Sequence, residues 1–585
     1  MSNKKKIEKI TNLLKKKDCD YYLLPRTDKF QNEFISEKDE RVKWLTGFSG
    51  SFAFVIISLN KNFIFTDGRY IDQAKKEINQ KNFKVLNISN TNPILWLKNK
   101  MKLKEKILLD SWLFTSNNLN YIKKVIKKKK CEVILNKEIL IDQIWKPKLR
   151  NIDDKIFIRD KKHSGISFER KIKYVKEIFK KKKISSFFFS SPESISWLLN
   201  IRGNQIRYTP VVLSFLIMNL NNENFFLTKN NIKLKKYLGS NFKIFSINDL
   251  KKILINFSII NKEIFLDPNK TPCFIEKFLL DLGVSVKYFE DPCVNLMLVK
   301  NHAEINGSRN CHVRDGVSIC RFLYWLSEKI KKKEKITELK ASEKLFDFRK
   351  NNKFFYDLSF ETISGYGANG SIIHYRVTKN TNKVLKKNNL YLFDSGAQYL
   401  DGTTDVTRTI SIGNKPSLEH KDLFTRVLKG NVELSSSIFS EKTMGRALDK
   451  IARKYLKKKK YDYPHGTGHG VGNFLSVHEG PISISKNSKT KFKSGMLLTN
   501  EPGFYKSNKY GIRIENILLV KKKNKLLSFE VLTLAPIDIK LIDYKLLNLK
   551  DKMWINNYHD NVFNKISKYL DKKETIWLRN KTLPI

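Results

Sequence analysis

The chain has 585 residues, of which 41% are hydrophobic, so it is too long for one core and predicts about three domains with packed interiors. It carries 112 Lys+Arg against 58 Asp+Glu, a formal net charge of +54, which suggests nucleic acid or an anionic membrane as a partner. The lysine runs are scattered along the chain rather than gathered into one patch. We therefore expect solvated faces, with no specific nucleic acid partner and no membrane partner.

The six cysteines contain no C-x-x-C pair, which excludes a disulfide scaffold for a chain of this length. The N-terminus is charged and has no apolar core of a signal peptide. The longest apolar run, near Val211–Leu220, is far short of the roughly 18 residues that a membrane helix needs. These features predict a cytoplasmic protein.

The first half of the chain reads as two α/β domains, residues 1–152 and 153–297, separated by a polar stretch. In the first domain we predict the strands Tyr21–Leu24, Phe52–Leu59 and Phe63–Thr66. In the second we predict the amphipathic helix Phe168–Lys182 and a buried strand over Val211–Met218.

Residues 298–585 change character and predict a third, α+β domain with a C-terminal extension over about 540–585. Apolar residues follow helical spacing around Val313–Leu326, and a second helical pattern covers Thr337–Arg349. Strands then alternate with glycine-containing turns to about residue 535. Helical pieces over Trp554–Leu570 and Thr575–Leu578 end the chain.

Two carboxylates mark the ends of apolar strands in this domain. Asp394 closes the strand that begins at Asn389, and Asp405 opens another that runs to Ile412. A turn at Asp401-Gly402 lies between them, so the two carboxylates can face each other across neighbouring strands. Each alone is compatible with a turn-capping role, but a partly buried pair needs a counter-charge.

Three further residues complete a hard, anionic set with this pair. Glu501 follows the apolar Met496–Leu498, Glu515 lies in the alternating Ile512–Glu515, and His469 lies in a glycine-rich segment. Four carboxylates and one imidazole suit two divalent ions such as Mn²⁺ or Co²⁺, with Zn²⁺ as a further possibility. Two such ions can bridge a water, lower its pKa and generate a hydroxide nucleophile.

The same region resembles the pita-bread metallopeptidases, the family of methionine aminopeptidase, prolidase and aminopeptidase P, and most of all its long three-domain cytosolic branch. The resemblance lies in seven motifs of the third domain and in Phe65–Tyr70, Trp554–His559 and Leu583–Ile585. It therefore extends over nearly the whole chain. The seven motifs are Gly370–Tyr375, Asp394–Tyr399, Gly402–Thr409, His465–Gly472, Val477–Pro481, Thr499–Tyr505 and Gly511–Glu515.

The resemblance implies a role for each matching residue. Asp405 and Glu515 would bridge both metal ions, Asp394 would hold one ion, and the other would be held by His469 and Glu501. Glu501 would also be the proton shuttle of the reaction. His374 and His478 would stabilise the scissile peptide and its oxyanion. His465 would shape the substrate site, and Arg513 would hold a ligand carboxylate in place.

The implied fold is a pita-bread catalytic domain behind two smaller creatinase-N-terminal-like α/β domains, and the implied assembly is a homodimer. The implied reaction is metal-dependent hydrolysis of the N-terminal Xaa-Pro peptide bond of peptides, by a hydroxide that bridges two divalent ions. A prolidase, which cleaves only Xaa-Pro dipeptides, is the alternative enzyme. Candidates for the proline pocket are Tyr366, Tyr375 and Tyr505.

One loop departs from the family pattern, because Gln205 stands where relatives usually carry an acidic residue. A rival of another class is a binding protein, since catalytically inactive pita-bread domains exist and the charge of +54 invites polyanions. Such proteins have lost the metal ligands, whereas all five are present here. We therefore favour the enzyme.

Overall fold

A computed structural model describes residues 2–147, 154–221, 223–229 and 232–585. The chain forms two compact units, Met1–Ile158 with Ser167–Val294, and Arg159–Ile166 with Asn295–Ile585. Both predicted α/β domains contribute to the first unit. The boundary that we predict between them, at residues 152–153, lies outside the described residues and stays a prediction.

The first sheet of the first unit has six strands among the described residues, and the central residues of its four inner strands are buried. Parallel neighbours such as Lys106–Asp110 and Glu132–Asn136 are connected through a helix, as such crossovers require. In spatial order the strands are Phe83–Asn87, Asn62–Thr66, Phe54–Ser58, Tyr21–Pro25, Lys106–Asp110 and Glu132–Asn136. The helices are Asn3–Lys16, Arg41–Thr46, Ile71–Glu77, Pro93–Lys100 and Ser116–Ile126.

The second sheet repeats this plan with the strands Phe242–Ser246, Asn224–Thr228, Phe215–Asn219, Ser186–Phe189, Glu263–Leu266 and Ser285–Tyr288. A short pair, Ile156–Ile158 with Ile201–Gly203, lies apart from it. The helices are Phe168–Lys182, Pro192–Leu198, Ile232–Leu238, Leu250–Ile260 and Cys273–Asp281, and the chain enters the second unit within Pro292–Leu298. Within the first unit, Trp112 stacks on Phe274 with ring centroids 4.2 Å apart.

The predicted strand over Val211–Met218 is too long at its start. The strand begins at Phe215, although residues 211–214 are buried as expected. The backbone N–H of Val212 donates to Ser196 Oγ at 2.9 Å, and that of Leu213 donates to Gln205 Oε1 at 2.7 Å. Side-chain oxygens thus take backbone donors that a sheet ladder would otherwise use.

The second unit begins with the predicted long helix, which runs over His302–Lys331, and with Glu338–Lys350. Two of its sheets have three strands each, in spatial order Phe355–Leu358, Ala397–Tyr399 and Gly402–Thr403, and Ile363–Tyr366, Asn389–Ser395 and Val406–Ile412. A six-stranded sheet has the order Phe439–Ser440, Leu526–Val531, Asn516–Lys523, Leu497–Asn500, Gly468–Gly470 and Glu479–Ile484. A two-stranded sheet pairs Gly503–Lys506 with Tyr510–Arg513. The later helices are Leu418–Ser435, Gly445–Lys457, Leu549–Ile566 and Lys572–Lys581. The α/β fold class with an α+β third domain is confirmed.

In the part of the chain that the structure describes, every helix is too short or too polar to cross a membrane.

Candidate metal centre

Neighbouring strand ends bring the predicted carboxylates together. Asp394 pairs in register with Thr407 across two antiparallel strands, and Asp405 immediately precedes the second of these strands. The backbone N–H of Glu515 donates to the Thr407 carbonyl at 3.1 Å, which ties the Glu515 segment to the same place. Residues distant in sequence therefore present their carboxylates to one volume.

Three of the five predicted metal ligands, Asp405, His469 and Glu515, each place a donor atom within 4.8 Å of the others. His469 Nε2 lies 3.7 Å from Asp405 Oδ2 and 3.7 Å from Glu501 Oε1, so Glu501 joins the cluster through the histidine. These separations leave room for a cation between the donor atoms, since metal–ligand bonds of this kind are about 2.0–2.2 Å long.

Hydrogen bonding fixes the tautomer of His469. Its Nδ1 lies 2.9 Å from the Gly470 carbonyl oxygen, which can only accept, so Nδ1 carries the proton. The lone pair of the neutral imidazole is then on Nε2, the atom that faces Asp405 and Glu501. A backbone carbonyl that orients a histidine in this way is typical of metal-ligating imidazoles.

Arg513 is the cation that faces the carboxylates. Its Nη2 donates to Asp394 Oδ2 at 2.6 Å, its Nε donates to Thr407 Oγ1 at 3.1 Å, and Thr407 in turn donates to Glu515 Oε2 at 2.7 Å. Arg513 thus holds Asp394 directly and Glu515 through Thr407. Sequence reasoning missed Thr407, because a threonine inside a β-strand carries no signal of its own.

The cluster carries more negative charge than this arginine can balance. Burial, and then the neighbouring carboxylates, raise the pKa of Asp405 and of Glu515 well above their usual values. Asp394 Oδ1 and Asp405 Oδ1 are buried and accept no hydrogen bond among the described residues. Four carboxylates against one guanidinium leave three charges in excess, so the donor set fits two divalent cations.

One side of the cluster is open to solvent. The side chains of His469 and Glu501 are 23% and 19% exposed, whereas those of Asp405 and Arg513 are 5% and 1% exposed. Solvent therefore reaches the cluster along Glu501 and His469, whereas Asp405 and Arg513 lie deeper.

Two of the three other predicted histidines, His478 and His465, contact residues on this open side. The ring of His478 stands edge-on to that of His469 with centroids 4.4 Å apart, and His465 Nδ1 lies 3.9 Å from Glu501 Oε2. His374 follows Ile373, whose carbonyl accepts from Arg513 Nη2 at 3.3 Å. The rings of His478 and His465 thus lie beside residues of the cluster, and the backbone that precedes His374 is bonded to Arg513.

The three tyrosines predicted for the proline pocket have engaged hydroxyl groups. Tyr366 donates to the Lys386 carbonyl at 2.8 Å, and Tyr375 lies 3.2 Å from Glu338 Oε2. Tyr505 accepts from Arg513 Nη1 at 2.6 Å and lies 2.9 Å from His465 Nε2. Only Tyr505 is tied to predicted site residues by these bonds, so it is the candidate that we retain.

The buried carboxylate of Glu338 holds the loop that leads to His374. It accepts from the backbone N–H of Tyr366 at 2.6 Å, that of Lys383 at 2.9 Å and Asn369 Nδ2 at 3.0 Å. Glu338→Gln replaces one acceptor oxygen by an NH₂ group, which would face the N–H donors of this loop and leave them without an acceptor. We expect a loss of about 1–3 kcal/mol in the free energy of unfolding, measured by urea denaturation.

The matched control for that experiment is Glu334→Gln, since Glu334 is a partly exposed carboxylate paired with Lys329 at 2.8 Å. Such a solvent-screened pair contributes little to stability, so this variant should stay close to the wild type. Equal losses in the two variants would contradict the role of Glu338 in holding the loop.

Four family models match successive parts of the chain. Residues 308–522 match metallopeptidase family M24, residues 525–585 match the C-terminal region of that family, and residues 6–141 and 146–304 each match a creatinase/prolidase N-terminal domain. The chain is 35% identical to a probable Xaa-Pro aminopeptidase P of Coprinopsis cinerea, over 99% of this chain and 98% of the relative.

Two solved structures extend the comparison. An X-prolyl aminopeptidase of Caenorhabditis elegans, described as a cytosolic enzyme with a di-nuclear active site, is similar with a TM-score of 0.95 and 30% identity over 100% of both chains. An Xaa-Pro dipeptidase of Bacillus anthracis has a similar fold with a TM-score of 0.52 and 20% identity, over 64% of this chain and 99% of its own. From these matches and the end-to-end relative, we conclude that the chain belongs to metallopeptidase family M24.

Proposed function

We propose that the protein is an Xaa-Pro aminopeptidase, which removes the N-terminal residue from peptides whose second residue is proline. One observation carries the proposal: the chain matches proteins of that name from end to end, with 99% of it covered at 35% identity. The dipeptidase fold covers only 64% of the chain. The negative charge of the carboxylate cluster is what a metal-dependent hydrolase needs to bind its metal ions.

The proposed ligands of two divalent ions are Asp394, Asp405, His469, Glu501 and Glu515. We assign Asp405 and Glu515 to both ions, Asp394 to one, and His469 with Glu501 to the other. The excess of three negative charges and the orphaned oxygens of Asp394 and Asp405 support this assignment. An oxygen-rich set with one imidazole favours Mn²⁺, ahead of Co²⁺ and Zn²⁺.

When bound, the ions supply an acidified water and polarise the scissile carbonyl. Glu501 is the proposed proton carrier, because its carboxylate lies on the open side of the cluster and is partly exposed. It takes a proton at a carboxylate oxygen from the attacking water and delivers it to the departing proline nitrogen. That nitrogen would otherwise leave as an unstable amide anion, so it needs this proton to leave.

The histidines have separate proposed tasks. His374 and His478 hold the peptide carbonyl and the developing oxyanion, as donors placed beside the cluster. His465 has its proton on Nδ1, which lies 2.7 Å from the Gly466 carbonyl, and its Nε2 lies 2.9 Å from the Tyr505 hydroxyl. An imidazole held at both nitrogens shapes the substrate site rather than moving protons.

The test is hydrolysis of an Xaa-Pro-Yaa tripeptide by the purified protein, with Mn²⁺ and after EDTA treatment. We expect release of the first residue with metal and none after chelation, with activity restored by added metal. A tripeptide with alanine in place of proline is the control. Turnover of Xaa-Pro dipeptides but not of tripeptides would identify a prolidase, and turnover of neither, with metal bound, would contradict a peptidase.

We also propose that the protein acts in the cytosol as a homodimer. The Caenorhabditis elegans enzyme, which covers the whole chain, is described as cytosolic. The dimer is proposed from the family resemblance of the sequence. Light scattering coupled to size-exclusion chromatography would give twice the chain mass of 68.6 kDa for a dimer.

A further inference from the structure

The loop between His469 and His478 is held by buried side chains from other parts of the chain. Here the His478 loop means residues 471–478, which connect the strands Gly468–Gly470 and Glu479–Ile484. At its tip, the Asn473 carbonyl accepts from Arg159 Nη1 at 3.0 Å. The next two bonds are from Phe474 N to Thr403 Oγ1 at 3.0 Å, and from Gln398 Nε2 to the Leu475 carbonyl at 2.7 Å.

The tip of this loop is strained. Phe474 has a φ of +52° and is fully buried, with its ring edge-on to that of Tyr356. A bulky residue in the left-handed region is strained and persists only where its surroundings over-determine that conformation. The three consecutive backbone bonds at residues 473–475 are such surroundings. Losing one of them lets the loop relax toward ordinary backbone angles.

Arg159 reaches the loop from a segment 314 residues earlier in the chain. It is buried, contacts both oxygens of Asn473, and lies 3.7 Å from Glu304, its counter-charge. Burial lowers the pKa of Arg159 to about 10, so it stays charged at neutral pH. Asn473 Nδ2 completes the anchor with bonds to the carbonyls of Glu304 and Asp401, at 3.1 and 3.0 Å.

The segment Arg159–Ile166 has other attachments to the same unit. Asn301 Nδ2 donates to the Ser164 carbonyl at 2.8 Å, and the rings of His163 and Phe354 meet edge-on at 5.1 Å. The segment therefore does not depend on Arg159 to stay in place. The arginine contributes chiefly to the loop that it bonds.

We propose that Arg159 is a positioning residue for His478, acting through the Asn473–Phe474 backbone of the His478 loop. The inference rests on the proposed function, in which His478 holds the peptide carbonyl and oxyanion. His478 is four residues beyond Phe474, and its ring contacts that of the proposed ligand His469. A relaxed loop would misplace His478 relative to the metals, which lowers transition-state stabilisation more than ground-state binding.

The kinetic test compares Arg159→Met, His478→Ala and the double variant on an Xaa-Pro-Yaa tripeptide. We expect Arg159→Met to lower kcat about tenfold with little change in KM. In the His478→Ala background, the same substitution should lower kcat by less than about twofold, because His478 is already absent. Arg159→Lys, which keeps the positive charge but not the two-pronged guanidinium that reaches both oxygens of Asn473, should recover part of the loss. An unchanged kcat in Arg159→Met, or full additivity with His478→Ala, would overturn the proposal.

Hydrogen exchange of the metal-loaded protein gives a readout that does not need activity. We expect amides of residues 472–476 to exchange about tenfold faster in Arg159→Met than in the wild type. The matched control is Lys171→Met, since Lys171 is also a buried cation, bonded to the Trp197 carbonyl at 2.8 Å and to Asn200 Oδ1 at 2.7 Å.

The two readouts separate the possible failures. A wild type that cleaves no Xaa-Pro peptide contradicts the proposed function, while the exchange data still decide whether Arg159 holds the loop. Loop exchange that does not differ between Arg159→Met and Lys171→Met would overturn the positioning role even in an active enzyme.

Discussion

Replacing Glu501 by glutamine is expected to lower kcat for an Xaa-Pro-Yaa tripeptide by about 10²–10⁴-fold, the contribution of a positioned general acid–base group. Glutamine keeps the shape of the side chain and one oxygen that can approach a metal, but it cannot take up a proton. The variant should remain folded, because Glu501 is partly exposed and its backbone N–H still donates to the Thr467 carbonyl at 2.8 Å.

The measurement is steady-state kinetics with Mn²⁺ in excess, together with the metal content of the purified variant by elemental analysis. Glu433→Gln is a suitable control, since Glu433 is a carboxylate on a helix of the same unit that pairs with Lys454 at 2.7 Å. A kcat of Glu501→Gln within threefold of the wild-type value, with metal bound, would contradict the role of Glu501 as proton carrier.

Asp405→Asn is expected to have opposite effects on the metal-free and the metal-loaded protein. Without metal, Asp405 is buried among Glu515, Asp394 and Glu501, and removing its charge relieves repulsion. We expect the metal-free variant to unfold at a temperature about 1–2 °C higher than the wild type at pH 8, roughly the effect of 1 kcal/mol on a unit of about 300 residues. With metal, the wild type gains stability through binding, and the variant loses most of that gain.

The pH dependence has a definite sign. The folded-state pKa of Asp405 is raised above its unfolded value, so its favourable contribution is complete below about pH 4 and is lost as pH rises through the folded pKa. The stability advantage of metal-free Asp405→Asn should therefore grow from pH 5 to pH 8. Thermal unfolding of EDTA-treated proteins at several pH values measures it.

Asp401→Asn is the control for this experiment, because Asp401 is also a buried aspartate but is paired with Arg314. Breaking that pair leaves a guanidinium without its partner and should destabilise the protein with or without metal. Loss of stability in metal-free Asp405→Asn, as in Asp401→Asn, would contradict a repulsive carboxylate cluster.

Much of the fold follows from periodicity. The helix Phe168–Lys182 has the predicted bounds, and the strand Tyr21–Pro25 differs from the prediction by one residue, because each has a regular apolar pattern with clear end signals. The strand over Val211–Met218 was predicted too long, since an apolar run does not reveal that Ser196 and Gln205 take its backbone donors.

The proposed ligands could be found in the sequence because each lies in a short motif of unusual composition at a strand end or a glycine-rich turn. The residues that hold these ligands and histidines in place could not be found in the same way. Thr407 and Glu338 look ordinary in sequence, and their roles arise from hydrogen bonds to Glu515 and to the loop before His374. Such contacts join residues about 30 to 110 positions apart, and no local pattern encodes them.

Local sequence thus determined the element types, the family and the identity of the carboxylates and histidines, because these depend on spacing and side-chain chemistry. The folded chain alone decided that Arg513 balances only part of the charge, that the Gly470 carbonyl sets the His469 tautomer, and that Arg159 lies against the His478 loop. The physical reason is that charge balance, tautomer and strain depend on distances between atoms, and those distances are set by packing across the whole unit.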